Sequence, residues 1–388
     1  MAVNLIRNSR VFFTTNVDSQ GRVRAGALKD TNNLFSETNT FEIQVLEGMT
    51  FSQNTTIDTV TLNEAGDAPA RGQRSFNTAL EPLDFSFSTY LRPFNNGTSV
   101  TAEEAYLWNA FAGSIAIGTA NAAWTNGTPA TLSVAQSNKH QLQAFGLIII
   151  FDDLAYVLDN CALDTATIDF GIDAIAAIQW AGKGSTIRQL DIKAGTPASA
   201  QVPLTSASGD LATGTNDAKE KNTVAKYITN KLTVLQVNNT INDFTGSDFT
   251  VPITGGNITL SNNLTYLTPA NLGVVNLPIT YFTGTRSVTG TLTAYLRSGA
   301  TATGGLLSGL IANAANEIDP DYAINIQMGG ASGTHVDLKI PAAMLQIPTV
   351  NTEQVISTTI TFNGQGFTGS DFDIDAANEI SIEYHATV

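Results

Sequence analysis

The chain has 388 residues, room for two domains of ordinary size, and 43% of them are hydrophobic, enough to bury a sizeable core. It carries 34 acids against 19 bases, a net charge of −15, yet only 14% of its residues are charged, below the roughly 25% of an average globular protein. The acidic balance argues against a protein that binds nucleic acid by neutralising phosphates. The single cysteine, Cys161, excludes an internal disulfide framework, and no apolar run approaches the about 20 residues of a membrane span.

No signal peptide is expected, because residues 1–10 lack an apolar core. The sequons at Asn54, Asn96, Asn126, Asn257 and Asn263 then read as accidents of an Asn- and Thr-rich composition. Strands are expected first at Phe41-Glu42-Ile43-Gln44-Val45-Leu46 and at Asp84-Phe85-Ser86-Phe87-Ser88, where apolar and polar residues alternate. Thr101-Ala102-Glu103-Glu104 fits a capping box, with Leu107, Trp108 and Phe111 following at helical spacing. The longest aliphatic run is 147–151, closed by Asp152-Asp153. Residues 191–223 lack large apolar side chains and read as a linker. Alternation resumes at Lys231-Leu232-Thr233-Val234, and a second helix is expected over 306–317, with Leu306, Leu307, Leu310, Ile311 and Ala314 on one face.

The two halves resemble each other. Tyr90-Leu91-Arg92 recurs as Tyr295-Leu296-Arg297, an offset of 205, each closing an alternating strand that precedes a helix. Phe41, Ile43, Val45 and Gly48 match Phe249, Val251, Ile253 and Gly256 at an offset of 208. Leu163, Thr167, Ile168, Ile178, Trp180, Gly182 and Gly184 match Leu345, Thr349, Val350, Ile360, Phe362, Gly364 and Gly366 at an offset of 182, without a gap. The drift between offsets places an insertion in the first half between Gly113 and His140. A tandem duplication follows: a first domain over 1–190, a linker or extended loop over 191–223, and a second domain over 224–388. The fold class is mainly β, two copies of a β-barrel or sandwich with one flanking helix each.

Catalytic patterns are missing. His140, His335 and His385 have no histidine or cysteine at metal-ligand spacing in the sequence, so each reads as a surface residue and no metal site is expected. Cys161, in Asn160-Cys161-Ala162-Leu163, reads as a small buried hydrophobe. Gly182-Lys183-Gly184-Ser185 breaks the phosphate-loop order, and Asp371-x-Asp373-x-Asp375 lacks the glycine and final glutamate of a calcium loop. The acid pairs Glu103-Glu104 and Asp152-Asp153 read as helix starts or strand ends, and Trp108, Trp124 and Trp180 as core. No enzyme activity and no cofactor are expected. A large, duplicated chain without such chemistry points to a structural unit.

These motifs carry a family resemblance. The segment 41–48, followed by Phe51-Ser52-Gln53 and Arg71-Gly72-Gln73-Arg74, resembles a bacteriophage tail tube protein, as do 4–13 and 276–292. The resemblance implies a small β-barrel or sandwich with one helix. Six such domains would close a ring by joining inner sheets, so three copies of a two-domain chain would form each ring. Rings stacked head-to-tail would form a conduit for DNA in the virion tail, assembled in the host cytoplasm. Sheath, baseplate or tip, and terminator proteins would be its neighbours, and DNA would pass without specific binding. On this reading the excess acid lines the lumen and repels phosphate. Phe85, Phe87, Tyr90, Arg92, Leu292, Tyr295 and Arg297 are the candidates for lumen strands and interdomain contacts. Arg22, Arg24 and Lys29 mark a candidate inter-ring loop. The rival expectations are an adhesin, decoration or glycan-binding fibre protein, with Trp108 or Trp124 as a stacking platform, or an enzyme using two of the carboxylates.

Overall fold

In Leu83–Tyr90 the odd residues are buried and the even ones reach the surface, the period of a strand with one face on a core. Most of the chain follows that rule. The computed structural model describes residues 9–23, 40–60, 73–95, 100–102, 104–112, 130–133, 142–151, 154–191, 227–316, 322–330, 332–352, 355–368, 371–372 and 378–386. Over these residues the protein is mainly β, in antiparallel sheets, with two α-helices.

The first half runs β1 (Ser9–Thr14), β2 (Thr40–Ile43), β3 (Thr50–Ser52), β4 (Thr55–Val60), β5 (Arg74–Leu80), β6 (Leu83–Tyr90), β7 (Pro93–Asn95) and β8 (Val100–Ala102). Helix α1 (Ala105–Ala112) follows, then β9 (Ala130–Ser133), β10 (Phe145–Phe151), β11 (Leu154–Gly171), β12 (Ala177–Gly184) and β13 (Thr186–Asp191). One sheet has the order β2-β1-β10-β11-β13 and another β3-β6-β12-β11. The 18-residue β11 belongs to both. It changes sheets where Asn160 takes a left-handed φ of 49° and the pairing slips between Leu163 and Thr165. Phe85, Phe87, Ile168 and Trp180 meet Phe13, Phe145, Leu147 and Ile149 in the core. All eight residues of α1 are buried, as expected of a helix apolar on every side.

The second half runs β14 (Val234–Asn238), β15 (Phe249–Thr250), β16 (Ile253–Ser261), β17 (Leu264–Leu267), β18 (Thr280–Thr283), β19 (Ser287–Tyr295) and α2 (Thr303–Asn316). It continues with β20 (Tyr322–Met328), β21 (His335–Leu345), β22 (Thr349–Thr352), β23 (Ile356–Gln365), β24 (Phe367–Thr368), β25 (Asp371–Phe372) and β26 (Ser381–His385). The same two pairing orders return, as β15-β14-β20-β21-β26 and as β16-β19-β23 with β21 and β22. Strand β9, inside the first-half insertion, pairs with β26 and so extends the second half.

Four details differ from the sequence reading. The capping box is absent: Thr101 lies in β8, and α1 starts at Ala105. The Glu104 carboxylate is buried and accepts the Tyr384 hydroxyl at 2.6 Å, while that hydroxyl accepts Trp108 Nε1–H at 2.8 Å. Of the five apolar residues expected on one face of α2, Leu306 and Leu310 are buried and Leu307 is half-buried, while Ile311 and Ala314 are exposed. The 182-residue offset also does not hold across both strands. In β12 and β6 Trp180 opposes Phe87, and in the second half Ile360, not Phe362, opposes Leu292. Five residues separate β11 from β12 but three separate β22 from β23, so β12 corresponds to β23 at an offset of 180. A two-residue slip keeps every side chain on its face, so alternation cannot reveal it.

Most of the proposed linker, and Glu103, Trp124, His140, Asp152, Asp153, Asp373 and Asp375, lie outside the described residues.

Candidate functional site

The inner sheets of the two halves are one sheet. The end of β11 pairs with β16 from Thr165 opposite Ser261 to Gly171 opposite Gly255. The combined order is β3-β6-β12-β11-β16-β19-β23-β22. One face lies on the core. The other presents residues such as Ser86, Gln179, Thr167, Thr259, Thr291 and Thr361, all at least partly exposed. Hydroxyls bond across strands, Thr167 to Thr259 at 3.1 Å over the joint itself and Thr50 to Ser86 at 2.8 Å near an edge. On this face Asp84 is paired with Lys183 at 2.7 Å, and Asp169 is exposed.

The sheet ends in two open edges. Among the described residues β3 pairs only with β6, and β22 only with β23. The recurrence of the strand-pairing order in the two halves relates these edges to the joint. By strand pairing, β22 stands where the end of β11 stands, at an offset of 182. Strand β3 stands where β16 stands, at an offset of 207, because Phe51 opposes Phe85 as Ile258 opposes Gly290. The one-residue difference from the 208 offset at Phe41 falls at the bulge between Ile253 and Gly255. Burial follows the same logic: Ile168 at the joint is 0% exposed, and its counterpart Val350 at the edge is 38% exposed.

Each half also carries a hairpin arm, β4 with β5 and β17 with β18. The second arm lies on the first half. Tyr281 Oη donates to the Leu142 carbonyl at 2.7 Å, Tyr266 Oη donates to the Asn160 carbonyl, and Leu264 packs with Leu142 and Ala162. Backbone bonds join Asn276 to Thr78 and Leu80. The first arm is exposed along β4, with Ile57, Val60 and Phe76 open to solvent. At the 205 offset of the Tyr-Leu-Arg motifs Phe76 aligns with Tyr281, and at the 182 offset of β11 the buried Ala162 aligns with Met344, which is 40% exposed.

Phe85, Phe87 and Leu292 point into the core rather than into the open face. Tyr90 is half-buried against Tyr227, with ring centroids 5.3 Å apart. Arg92 and Arg297 do not play equivalent parts. Arg92 is buried, donates to Gln44 Oε1 at 2.5 Å and lies over the Tyr227 ring, whereas Arg297 is exposed. Tyr295 is exposed at the end of β19. Arg22 is exposed in a turn built on Asp18, whose carboxylate accepts the Gln20 and Arg22 amides. Arg24 and Lys29 lie outside the described residues. Trp108 and Trp180 are fully buried, so neither can stack on a glycan. Cys161 is buried, and burial, followed by the charge of Asp159, pushes its thiol well above the usual range.

One cluster was not legible in sequence. Residues 335 and 385 are 50 positions apart, and the antiparallel pairing of β21 with β26 sets them opposite each other. Their imidazoles stack with centroids 4.1 Å apart and planes 7° apart. The Asp337 carboxylate reaches both: Oδ1 is 3.7 Å from His335 Nε2, and Oδ2 is 3.6 Å from His385 Nε2. Burial raises the Asp337 pKa, against the opposing pull of His335, His385 and Lys339. Lys339 Nζ bonds Glu383 at 2.6 Å beside the cluster. The two histidines are therefore not isolated surface residues.

No protein-family profile matches the chain. It is similar to tail tube protein pb6 of Escherichia phage T5, with 30% identity over 391 residues that take in 98% of this chain and 75% of the relative.

Proposed function

The chain belongs to the bacteriophage tail tube proteins, and on that premise we propose that three copies close each ring of the tube by pairing the free edges of their shared sheets. It is a structural protein of the virion tail. The observation that carries the ring reading is the relation between joint and edges. Inside the chain, the end of β11 binds β16. At the chain's two open edges stand the repeat counterparts of those strands, β22 and β3. Carrying the joint's register over by offsets of 182 and 207 sets Val350 of one copy opposite Phe51 of the next, and Asn351 opposite Thr50. Antiparallel partners must share a face, and these do: Phe51 opposes the buried Phe85 and Val350 the buried Thr358.

Three chains of eight strands then form a continuous barrel of 24, with two tube domains per chain divided between β13 and β14. Closure removes every lateral edge, which otherwise invites uncontrolled strand addition. The exposed β4–β5 arm would lie over Met344 of its neighbour as the β17–β18 arm lies over Ala162. The open polar face becomes the lumen. Its lining is hydroxyl and amide rather than the carboxylate expected from a net charge of −15. Asp84 is neutralised by Lys183, and Asp169 adds a single negative charge. Such a surface offers DNA no ladder of phosphate-binding cations, so the duplex slides without being held.

Electron microscopy of the purified, concentrated protein tests this reading. Rings or tubes with a central hole, threefold in detail and near-sixfold in outline, are expected. Particles without a hole, or rings of six chains, would refute it.

A further inference from the structure

We propose that His335, His385 and Asp337 form a binding site for one divalent transition-metal ion, which ties the C-terminal strand β26 to β21. The stacked pair and its carboxylate bring three ligand atoms within 4.8 Å of one another. The chemistry of the atoms is specific. His335 Nδ1 lies 2.8 Å from the Gly333 carbonyl. A carbonyl only accepts, so Nδ1 carries the hydrogen and, in the neutral ring, Nε2 keeps its lone pair. That lone pair faces Asp337 Oδ1, itself an acceptor, at 3.7 Å. Asp337 Oδ1 and His385 Nε2 are both buried without a hydrogen-bond partner among the described residues. His335 Nε2 and Asp337 Oδ1, two acceptors facing each other out of water, are costly unless a proton or a metal cation lies between them.

The carboxylate bridges the two rings at near-ligand spacing. Ligands held tetrahedrally at about 2.0–2.1 Å from zinc lie roughly 3.4 Å apart; the Asp337 oxygens stand 3.7 and 3.6 Å from the two Nε2 atoms, one oxygen to each, and on binding the plane-parallel rings swing apart to aim both in-plane lone pairs at one ion. The Gly333 carbonyl supplies the outer bond that orients a metal-bound imidazole. Glu383 Oε2, 3.7 Å from His385 Nε2, is within reach as a further ligand. Two imidazoles and a carboxylate favour zinc, cobalt, nickel or ferrous iron over calcium or magnesium. In the first half the aligned position of Asp337 is Ala155, so the site belongs to the second half alone.

The test is a titration of the tag-free, chelator-treated full chain with Co2+, followed by visible absorption and by competition with Zn2+. One saturable equivalent per chain is expected, with Zn2+ displacing Co2+ and raising the melting temperature. Asp337→Asn and His385→Gln should each weaken binding more than about 100-fold, because even outer-sphere changes cost 10–100-fold. The wild-type titration decides the matter should a variant fail to fold. No saturable binding, or unchanged affinity in a folded variant, would overturn the proposal.

Discussion

Tyr384, in the last strand, donates its hydroxyl hydrogen to the carboxylate of Glu104, 280 residues earlier, at 2.6 Å. The same oxygen accepts Trp108 Nε1–H at 2.8 Å, so one phenol ties α1 of the first half to β26 of the second. Burial, then the negative charge of Glu104, raises the Tyr384 pKa well above the usual range, so it remains a donor at any physiological pH. Tyr384→Phe strips a buried indole of its acceptor and a buried carboxylate of a donor. The expected loss is about 1–3 kcal/mol, read as a lower urea midpoint with an unchanged slope. An unchanged midpoint would show that the two halves do not depend on this link.

Glycine and phenylalanine exchange places between the halves. Gly182 in β12 opposes Phe85 in β6; at the equivalent position Phe362 in β23 opposes Gly290 in β19. A Cβ on either glycine would run into the opposing ring and into a backbone carbonyl. Gly182→Ala and Gly290→Ala should each cost about 1–3 kcal/mol by overpacking. At Gly171 a Cβ would meet nothing within 4 Å, and Gly171→Ala should stay within about 0.5 kcal/mol. Urea unfolding of the three variants checks the contrast. Equal stability in all three would contradict the slipped register.

Asp159 is fully buried, and its carboxylate is enclosed by the Arg188 guanidinium and the Val23 amide, the latter at 2.9 Å. Its hydrogen bond holds the Arg188 pKa above the ordinary value. Removing Arg188 leaves a buried charge uncompensated. Arg188→Ala should therefore cost about 3–5 kcal/mol, visible as a lowered melting temperature. A loss under about 1 kcal/mol, the range of exposed pairs, would mean that water replaces the guanidinium.

The period-two pattern of 84–88 was enough to place a strand with Phe85 and Phe87 on one face, and the paired Tyr-Leu-Arg motifs were enough to relate β6 to β19. What those residues face was not legible. Phe85 and Leu292 were candidates for a lumen, and they lie in the core because the inner sheet is covered on that side by a second one. The residues on the open face are the alternate set, the threonines and serines between them. Turn length hid the register, since losing two residues between β22 and β23 preserves alternation. The histidine pair escaped because metal-ligand spacing along the chain says nothing about strands paired 50 residues apart. Ile311 and Ala314 continue the apolar pattern of α2 yet remain exposed, which periodicity alone cannot distinguish from burial.

Ring closure by β22 against β3 is tested most directly by a cross-link across that seam. Asn351 and Thr50 are exposed, and the carried-over register sets them opposite each other on the polar face. Directly opposed residues of antiparallel strands lie about 4.5–5.5 Å apart at Cα, within reach of a disulfide. The double variant Asn351→Cys with Thr50→Cys, assembled and then oxidised, is predicted to give a ladder of dimers and trimers on non-reducing gels that stops at three. A product that stays monomeric, or a ladder that climbs past three to six, would contradict the account.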